Sequence, residues 1–238
     1  MIAVIFVLQD YGWNDFHGDA LLPFHGNLTA LAKEGIMLTN HLVHYHCSPT
    51  RHSFISGRLP IHHGEELSPT TADNVDLRWS LISNKLQNAG YKTHWVGKGH
   101  VGFLSMAHLP THRGFDSFTG FLSGGQSYTS SDRWHNEGPL NDTTYSSDLY
   151  GRTAVAIVQA HPDPAGKTSP LFLYLPWQAV HSPYDTVPGF DCETEYPPYP
   201  GVYAGMLNEA DIYMGQLRSA LHKRKMWDNS LIVYCSDK

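Results

Sequence analysis

The sequence predicts an α/β fold in which a mostly parallel central sheet is flanked by helices, and two observations support that prediction. Short apolar runs alternate with helical patterns along the 238 residues, and each apolar run is followed directly by polar residues. Strands buried on both faces of a parallel sheet read as continuous apolar runs. Alternating strands and helices are typical of right-handed crossover connections. We interpret residues 1–238 as a single domain, which suits this length.

The predicted elements follow one another in chain order. The apolar runs that predict strands are residues 2–8, 93–96, 171–175 and 231–234. The patterns that predict helices cover residues 28–34, 81–88, 150–160 and 203–222. No run of about 18 apolar residues is present, so we expect no transmembrane helix. Residues 2–8 lack the basic flank and cleavage site of a signal peptide, which favours a buried strand.

Two segments have no periodicity and are predicted to be long loops. Residues 102–147 are rich in Gly, Ser, Thr and Asn, and residues 183–200 contain five prolines. Long loops in compact domains are usually functional rims or lids. Within the first segment, residues 124–141 are either a rim that binds a sugar or a packed surface loop. The side chains that suggest a rim are Tyr128, Arg133, Trp134 and His135.

Charge and cysteine content exclude some classes of protein. The net charge is -6 with both signs scattered, and no Lys/Arg block could neutralise a phosphate backbone, so we expect no nucleic-acid partner. The basic residues 222–225 are interpreted as a solvated helix end, where cations suit the helix dipole. Three cysteines do not form a disulfide framework. Cys192 and Cys235 are left open as a pair or as free thiols.

Each predicted strand is followed by residues whose side chains can bind a ligand, hold a metal or transfer a proton. They are Gln9 and Asp10, Lys98 and His100, His181, and Asp237. In open α/β sheets, ligands bind outside the carboxyl ends of the strands, so we expect these groups to converge. Asp10 and Asp237 would repel unless a cation lay between them, and Ca²⁺ prefers oxygen ligands. The alternative for each aspartate is a turn or capping residue.

The segment Cys47–Arg51 (C-S-P-T-R) predicts an anion site at a helix N-terminus. Pro49 can occupy the first turn of a helix, which would place Cys47 just before that helix. Backbone N–H groups and the dipole favour negative charge there. Arg51 lies one turn further and can reach an anion or a carboxylate. The alternative is a small buried cysteine beside a helix cap.

The same segment resembles the signature of the formylglycine-dependent sulfatase family, Cys-x-Pro-Ser/Thr-Arg followed by Gly-Arg, here at residues 57–58. The order of the other segments agrees with the family, so the resemblance spans essentially the whole chain. These segments are residues 7–13, 90–102, 181–183 and 236–237. Residues 109–116 and 171–181 are similar to the arylsulfatase B group, which removes the 4-sulfate of N-acetylgalactosamine in glycosaminoglycans.

The resemblance implies an alkaline-phosphatase-like sulfatase fold and a set of site residues. Cys47 would be oxidised by a formylglycine-generating enzyme to formylglycine, whose hydrate attacks the sulfur of a sulfate ester. Arg51 would polarise the hydrate, and Lys98 and His181 would bind the sulfate. His100 would assist the proton transfer that releases sulfate. A Ca²⁺ ion would be held by Gln9, Asp10, Cys47 and Asp237.

Two positions depart from the family's pattern. Gln9 stands where the family has a first aspartate, and Lys238 follows Asp237 where the family has asparagine. Gln9 removes one unit of ligand charge, and the Lys238 ammonium would oppose a bound cation. The family also continues with another active-site lysine and a C-terminal domain, so we expect the chain to be truncated, with that C-terminal part missing.

The sequence is therefore compatible with three functions. The first is hydrolysis of a sulfated carbohydrate or an aryl sulfate. The second is a non-catalytic sulfatase-like protein that acts as a structural or glycan-binding module, which Gln9 and Lys238 motivate. The third is action on phosphate esters. By resemblance we expect a secretory protein, lysosomal or extracellular, and the sequons at Asn27 and Asn141 mildly favour that route and a glycoprotein.

Overall fold

The computed structural model describes residues 1–63, 74–162 and 168–238, and these residues form a seven-stranded sheet flanked by helices. The strand order is β5-β4-β3-β2-β6-β1-β7. The pairs from β3 to β7 are parallel, whereas β3–β4 and β4–β5 are antiparallel. The bounds are β1 Ile2–Leu8, β2 Lys92–Lys98, β3 Ser117–Phe121, β4 Trp134–His135, β5 Gly138–Pro139, β6 Leu171–Pro176 and β7 Ser230–Ser236. The predicted fold class is confirmed.

Seven α-helices lie in the described part of the chain, together with short 3-10 turns. They are α1 Trp13–His17, α2 Gly26–Glu34, α3 Cys47–Ser56, α4 Pro60–His63, α5 Ile82–Asn88, α6 Ser146–Ala160 and α7 Gly201–Lys223. The four predicted helices correspond to α2, α5, α6 and α7. Residues 222–225 lie at the end of α7, as predicted. None of the described helices is both long enough and apolar enough to cross a membrane.

Two apolar cores lie on opposite faces of the sheet. Successive side chains of a strand point to opposite faces, and β1 divides accordingly. Val4, Phe6 and Leu8 pack into the core that contains α6 and α7, whereas Ile5 and Val7 pack into the core beside α3 and α5. Because β1 lies between β6 and β7 and is covered on both sides, its sequence is apolar throughout.

The prediction that residues 102–147 form one long loop was wrong. This segment contains β3, β4 and β5 and the first residues of α6. Strand β3 was missed because its five residues include Ser117, Thr119 and Gly120. Gly120 is required by the pairing with β2, since a Cβ there would lie 1.8 Å from the carbonyl oxygen of Gly97. A close contact between strands therefore selects glycine and lowers the apolar content on which the prediction depended.

The three cysteines are free thiols in this structure, so the pairing of Cys192 with Cys235 that the sequence left open is not formed. Cys192 lies in the segment before α7, and Cys235 lies in β7.

Candidate active site

The carboxyl ends of β2, β6, β1 and β7 lie side by side at one edge of the sheet. The polar residues that follow these strands contact one another across large sequence separations. The backbone N–H of Asp10 donates to Asp237 Oδ1 at 3.3 Å, and His181 Nε2 lies 3.9 Å from Asp10 Oδ2. The strand order thus brings together groups up to 227 residues apart.

Cys47 is the first residue of α3 and is 7% exposed. Its Sγ lies 3.0 Å from His100 Nδ1. The prediction that Cys47 precedes the helix is corrected by one position: His46 is the N-cap, and Pro49 is the third residue. Proline is tolerated there because N–H groups of the first turn have no partner within the helix. The backbone geometry still favours negative charge beside Cys47.

Arg51 lies one turn into α3 and forms a fully buried ion pair with Asp237. Its Nε and Nη2 lie 2.9 Å and 2.8 Å from Asp237 Oδ2, and Nη1 donates to the carbonyl oxygen of Lys98 at 3.3 Å. The two side chains are 1% and 0% exposed. The pair ties α3 to the end of β7, because neither charge can be left alone in the interior without a large cost.

Asp10 follows β1 in a left-handed backbone conformation, with φ of 55°. Its Oδ1 lies 2.8 Å from the ammonium of Lys238. His100, which follows β2, also has a positive φ of 58°. Non-glycine residues adopt this conformation rarely, and such residues concentrate at functional sites. Both strand ends therefore turn sharply at the point where their side chains enter the site.

Lys98 is fully buried, and its Nζ has no hydrogen-bond partner among the described residues. Burial, followed by the neighbouring guanidinium of Arg51, lowers the pKa of Lys98 from 10.5 to about 7. A buried cation without a partner is costly unless an anion completes the site. Its electrostatic interactions include the Cys47 thiol, so an anion bound beside Cys47 would relieve this cost.

His100 is held as a neutral imidazole beside Cys47. Burial, and next the charges of Lys98 and Arg51, lower the pKa of His100 well below its ordinary value. Gly124 packs against the ring, and a Cβ at that position would lie 2.6 Å from His100 Nε2. A neutral imidazole can accept a hydrogen bond from a group at position 47.

His181 ends a segment that is anchored to the neighbouring strand and to a buried tyrosine. The N–H of Gln9 donates to the Ala179 carbonyl at 2.7 Å, and the Val180 N–H donates to the Gln9 carbonyl at 2.8 Å. The hydroxyl of Tyr128 is within hydrogen-bond distance of two carbonyls, Gln178 at 3.1 Å and His181 at 3.0 Å. Burial, followed by the charge of Lys98, lowers the pKa of His181.

The interpretation of residues 124–141 as a sugar-binding rim is wrong for two of the four side chains. Tyr128 is 0% exposed and Arg133 is 1% exposed. Arg133 donates to the carbonyl of Tyr128 at 2.7 Å, and the Tyr128 N–H donates to Asp185 Oδ2 at 2.6 Å. Tyr128 and Asp185 thus position the His181 segment; the sequence had suggested Tyr128 for the sugar rim instead and had indicated no role for Asp185. Only the aromatic content of the loop could have indicated Tyr128.

The four predicted metal ligands do not fit a Ca²⁺ ion in this arrangement. Each carboxylate oxygen already has a partner: Lys238 and His181 for Asp10, and the Asp10 N–H and Arg51 for Asp237. Gln9 is fully buried, and both polar atoms of its amide lack a hydrogen-bond partner among the described residues. In the part of the chain that is described, no cluster of three His, Cys, Asp or Glu side chains can hold a metal ion. The cationic group nearest to the Asp10 carboxylate is the ammonium of Lys238.

Comparison with known proteins supports the resemblance. The family model described as Sulfatase matches residues 4–238. Arylsulfatase J of Mus musculus is 35% identical over 258 residues, which cover 98% of this chain and 42% of that protein. N-acetylgalactosamine-6-sulfatase of Homo sapiens is 25% identical over 266 residues, with 98% and 49% covered.

A crystal structure of Ps i-CgsB in complex with k-i-k-neocarrahexaose superimposes with a TM-score of 0.86 at 29% identity. That match covers 99% of this chain and 58% of the other. This chain spans about half the length of the curated relatives named above. The extent of the family match and the similarity to arylsulfatase J establish one conclusion: the chain belongs to the sulfatase family.

Proposed function

We propose that this chain forms the part of a sulfuric ester hydrolase that carries the nucleophile, with a sulfated carbohydrate or an aryl sulfate as substrate. The observation that supports this most directly is the position of Cys47. It lies at a helix N-terminus, 3.0 Å from His100 Nδ1, and interacts electrostatically with the cations Lys98 and Lys238. A tetrahedral anion is the ligand that such an arrangement favours.

The residue at position 47 supplies the attacking group in this proposal. If a maturation enzyme converted Cys47 to formylglycine, the hydrated aldehyde would supply one hydroxyl to attack sulfur and expel the alcohol of the ester. Deprotonation of its second hydroxyl would then release sulfate and restore the aldehyde. The contact between Cys47 Sγ and His100 Nδ1 fits this modification, because a hydroxyl at that place could donate to the ring. Because burial and the charges of Lys98 and Arg51 lower the pKa of His100, the ring stays neutral and its Nδ1 can accept a hydrogen bond from that hydroxyl.

The buried cations bind the group that is transferred. Lys98 Nζ, which has no partner among the described residues, would pair with a sulfate oxygen. Arg51 is fixed by Asp237, and its guanidinium interacts electrostatically with the Cys47 thiol. His181, whose Nε2 lies 3.9 Å from Asp10 Oδ2, would donate to the leaving oxygen. Charges that are fixed before the reaction stabilise the transition state without reorganisation.

Sulfated sugars are the favoured substrate class. One relative is named N-acetylgalactosamine-6-sulfatase, and the structure of Ps i-CgsB was determined with a hexaose ligand. Members of this family generally use Ca²⁺ as well as formylglycine. The pairing of Asp10 with Lys238 gives no support for that ion, so no step here depends on it. The sequence resemblance to the arylsulfatase B group leaves the sulfate position on the sugar open.

A secretory location, lysosomal or extracellular, is part of the proposal, and one of the two sequons supports it. Asn141 is exposed. Asn27 is less suitable for glycosylation, because its Nδ2 donates to Asp211 Oδ2 at 2.9 Å and to the Asp211 carbonyl at 3.1 Å. A glycan at Asn27 would break these contacts between α2 and α7.

The test is mass spectrometry of the peptide that contains Cys47, after expression of the full-length protein with a formylglycine-generating enzyme. We expect the mass change of thiol to aldehyde, together with turnover of an aryl sulfate in preference to an aryl phosphate. Unmodified cysteine with no turnover would overturn the proposal. If the same protein still bound sulfated oligosaccharides, it would be the non-catalytic glycan-binding module that Gln9 and Lys238 suggest.

A further inference from the structure

We propose that the ammonium of Lys238 and the amide of Gln9 take the place of the divalent cation in this site, so that the site works without Ca²⁺. This inference rests on the proposed function, because it concerns the same site. It begins from the observation that Lys238 Nζ lies 2.8 Å from Asp10 Oδ1 at the point where β1 and β7 end.

Charge balance is the first argument. The described site contains two carboxylates, Asp10 and Asp237, and three basic side chains, Arg51, Lys98 and Lys238. The carboxylates are thus already neutralised by cations of the protein itself. A divalent ion placed on Asp10 would meet the Lys238 ammonium within a few ångströms, and repulsion between like charges is strong where water is partly excluded.

The ligand set is the second argument. Where the family has aspartate, Gln9 contributes no negative charge, and its amide lies buried without a hydrogen-bond partner among the described residues. Hard divalent cations are bound most tightly by several carboxylates. A buried primary amide can instead donate to an oxygen of a bound sulfate and so satisfy its own polar atoms. The loss of a ligand charge at position 9 and the gain of a cation at position 238 both weaken the binding of Ca²⁺.

Lys238 can perform part of the metal's task. An ammonium has three N–H donors, and one of them is used by Asp10. The other two can donate to an oxygen on the nucleophile or on the sulfate, since Lys238 interacts electrostatically with Cys47. A lysine supplies a single positive charge without a coordination shell. The site would therefore keep its positive character with no requirement for exogenous metal.

The experiment is a calorimetric titration of the metal-stripped full-length protein with CaCl₂, supported by thermal unfolding in EDTA and in Ca²⁺. We expect no binding at millimolar Ca²⁺ and the same Tm in both conditions. The Gln9→Asp/Lys238→Asn double variant should bind one Ca²⁺ with a Kd on the order of 10⁻³ M or tighter, and its Tm should rise with the ion. Lys33→Asn, a change on the exposed face of α2, is the matched control and should behave as the native protein.

Stoichiometric, micromolar Ca²⁺ binding by the native protein would overturn the proposal, whether or not the double variant folds. A folded double variant that binds no Ca²⁺ would show that Gln9 and Lys238 are not the cause. The titration does not measure turnover. A protein that proved inactive as a hydrolase could therefore still confirm or contradict the absence of Ca²⁺ binding. If the protein is active, EDTA should leave its rate unchanged.

Discussion

The two sides of the site differ in how closely they follow the sulfatase pattern. On the α3 side, which includes the end of β2, Cys47, Arg51 and Lys98 stand where the sequence resemblance predicts them, and a buried ion pair fixes the arginine. On the β1–β7 side, Gln9 and Lys238 replace two residues of the pattern, and an ammonium is paired with Asp10. Because the two sides are built on different elements, residues on the β1–β7 side can differ from the pattern while those on the α3 side keep it.

The largest effect is expected at the nucleophile. Cys47→Ala should lower kcat by on the order of 10⁴-fold or more, because no other group replaces the attacking atom. Cys192→Ala is the matched control, since this thiol lies in the segment before α7, away from the strand ends, and accepts a hydrogen bond from the Val187 N–H. Equal turnover by the two variants, measured with an aryl sulfate, would break the assignment of the α3 side as the reactive one.

The second effect concerns the ion pair that joins the two sides. Arg51→Met leaves the carboxylate of Asp237 buried without its partner, and we expect a loss of roughly 3–5 kcal/mol in the free energy of unfolding. The pair of Arg78 with Asp76 is the comparison, because Arg78 is 87% exposed and Arg78→Met should change stability little. Urea unfolding measures both, and equal effects would show that burial does not decide the strength of these pairs.

The third effect is a pH dependence from Lys98. Since its pKa is lowered from 10.5 to about 7, the folded state loses this proton near pH 7 whereas the unfolded state keeps it to about 10.5. The unfolded state therefore binds more protons between these values, and this residue makes stability rise with pH in that window. Lys98→Met should flatten the rise in urea unfolding experiments between pH 7 and 10. An unchanged slope would contradict a buried, titrating lysine.

The affinity of Lys98 for an anion should fall as the pH rises, whereas its contribution to stability rises. Below pH 7 Lys98 is charged and should bind inorganic sulfate, so the inhibition constant for sulfate is expected to increase above that pH. In Lys98→Met, the inhibition constant should be higher at pH 6 and should lose this dependence. Steady-state inhibition at several pH values measures it, with Lys92→Met at the exposed start of β2 as control.

The smallest effect is expected at the support of His181. Tyr128→Phe removes a buried hydroxyl that contacts the carbonyls of Gln178 and His181, and we expect a cost of about 1 kcal/mol and a several-fold lower kcat. Tyr234→Phe is the control, because the hydroxyl of Tyr234 has no hydrogen-bond partner in the described structure. A change in the pH profile of kcat for Tyr128→Phe alone would identify it as a positioning residue for His181.

Much of the fold was predictable because it depends on local patterns. All four predicted strands are present: β1 has the predicted bounds, and the other three are extended by one or two residues at an end. The four predicted helices correspond to observed ones. Strands β3, β4 and β5 were not predictable in the same way. They are short, and β3 contains Gly120, which the close approach of Gly97 requires. The pairing partner, rather than the residues themselves, makes this segment a strand.

The candidate site was predictable as a set of residues but not as a set of contacts. Polar residues after buried strands indicated which side chains would meet. They did not indicate that Arg51 would pair with Asp237 or that Lys238 would pair with Asp10. The supporting roles of Tyr128 and Asp185 left no pattern in the sequence, because both residues hold a neighbouring loop.

The residues alone were sufficient to predict the α/β class, the place of Cys47 in the sulfatase signature and the two departures at Gln9 and Lys238. Which charges neutralise one another became clear only from the packing of the strands. The physical reason is the strand order: β1 lies between β6 and β7, so residues from both ends of the chain share one edge of the sheet. Periodicity records whether a residue is buried, whereas the partner of a buried charge depends on which strand lies beside it.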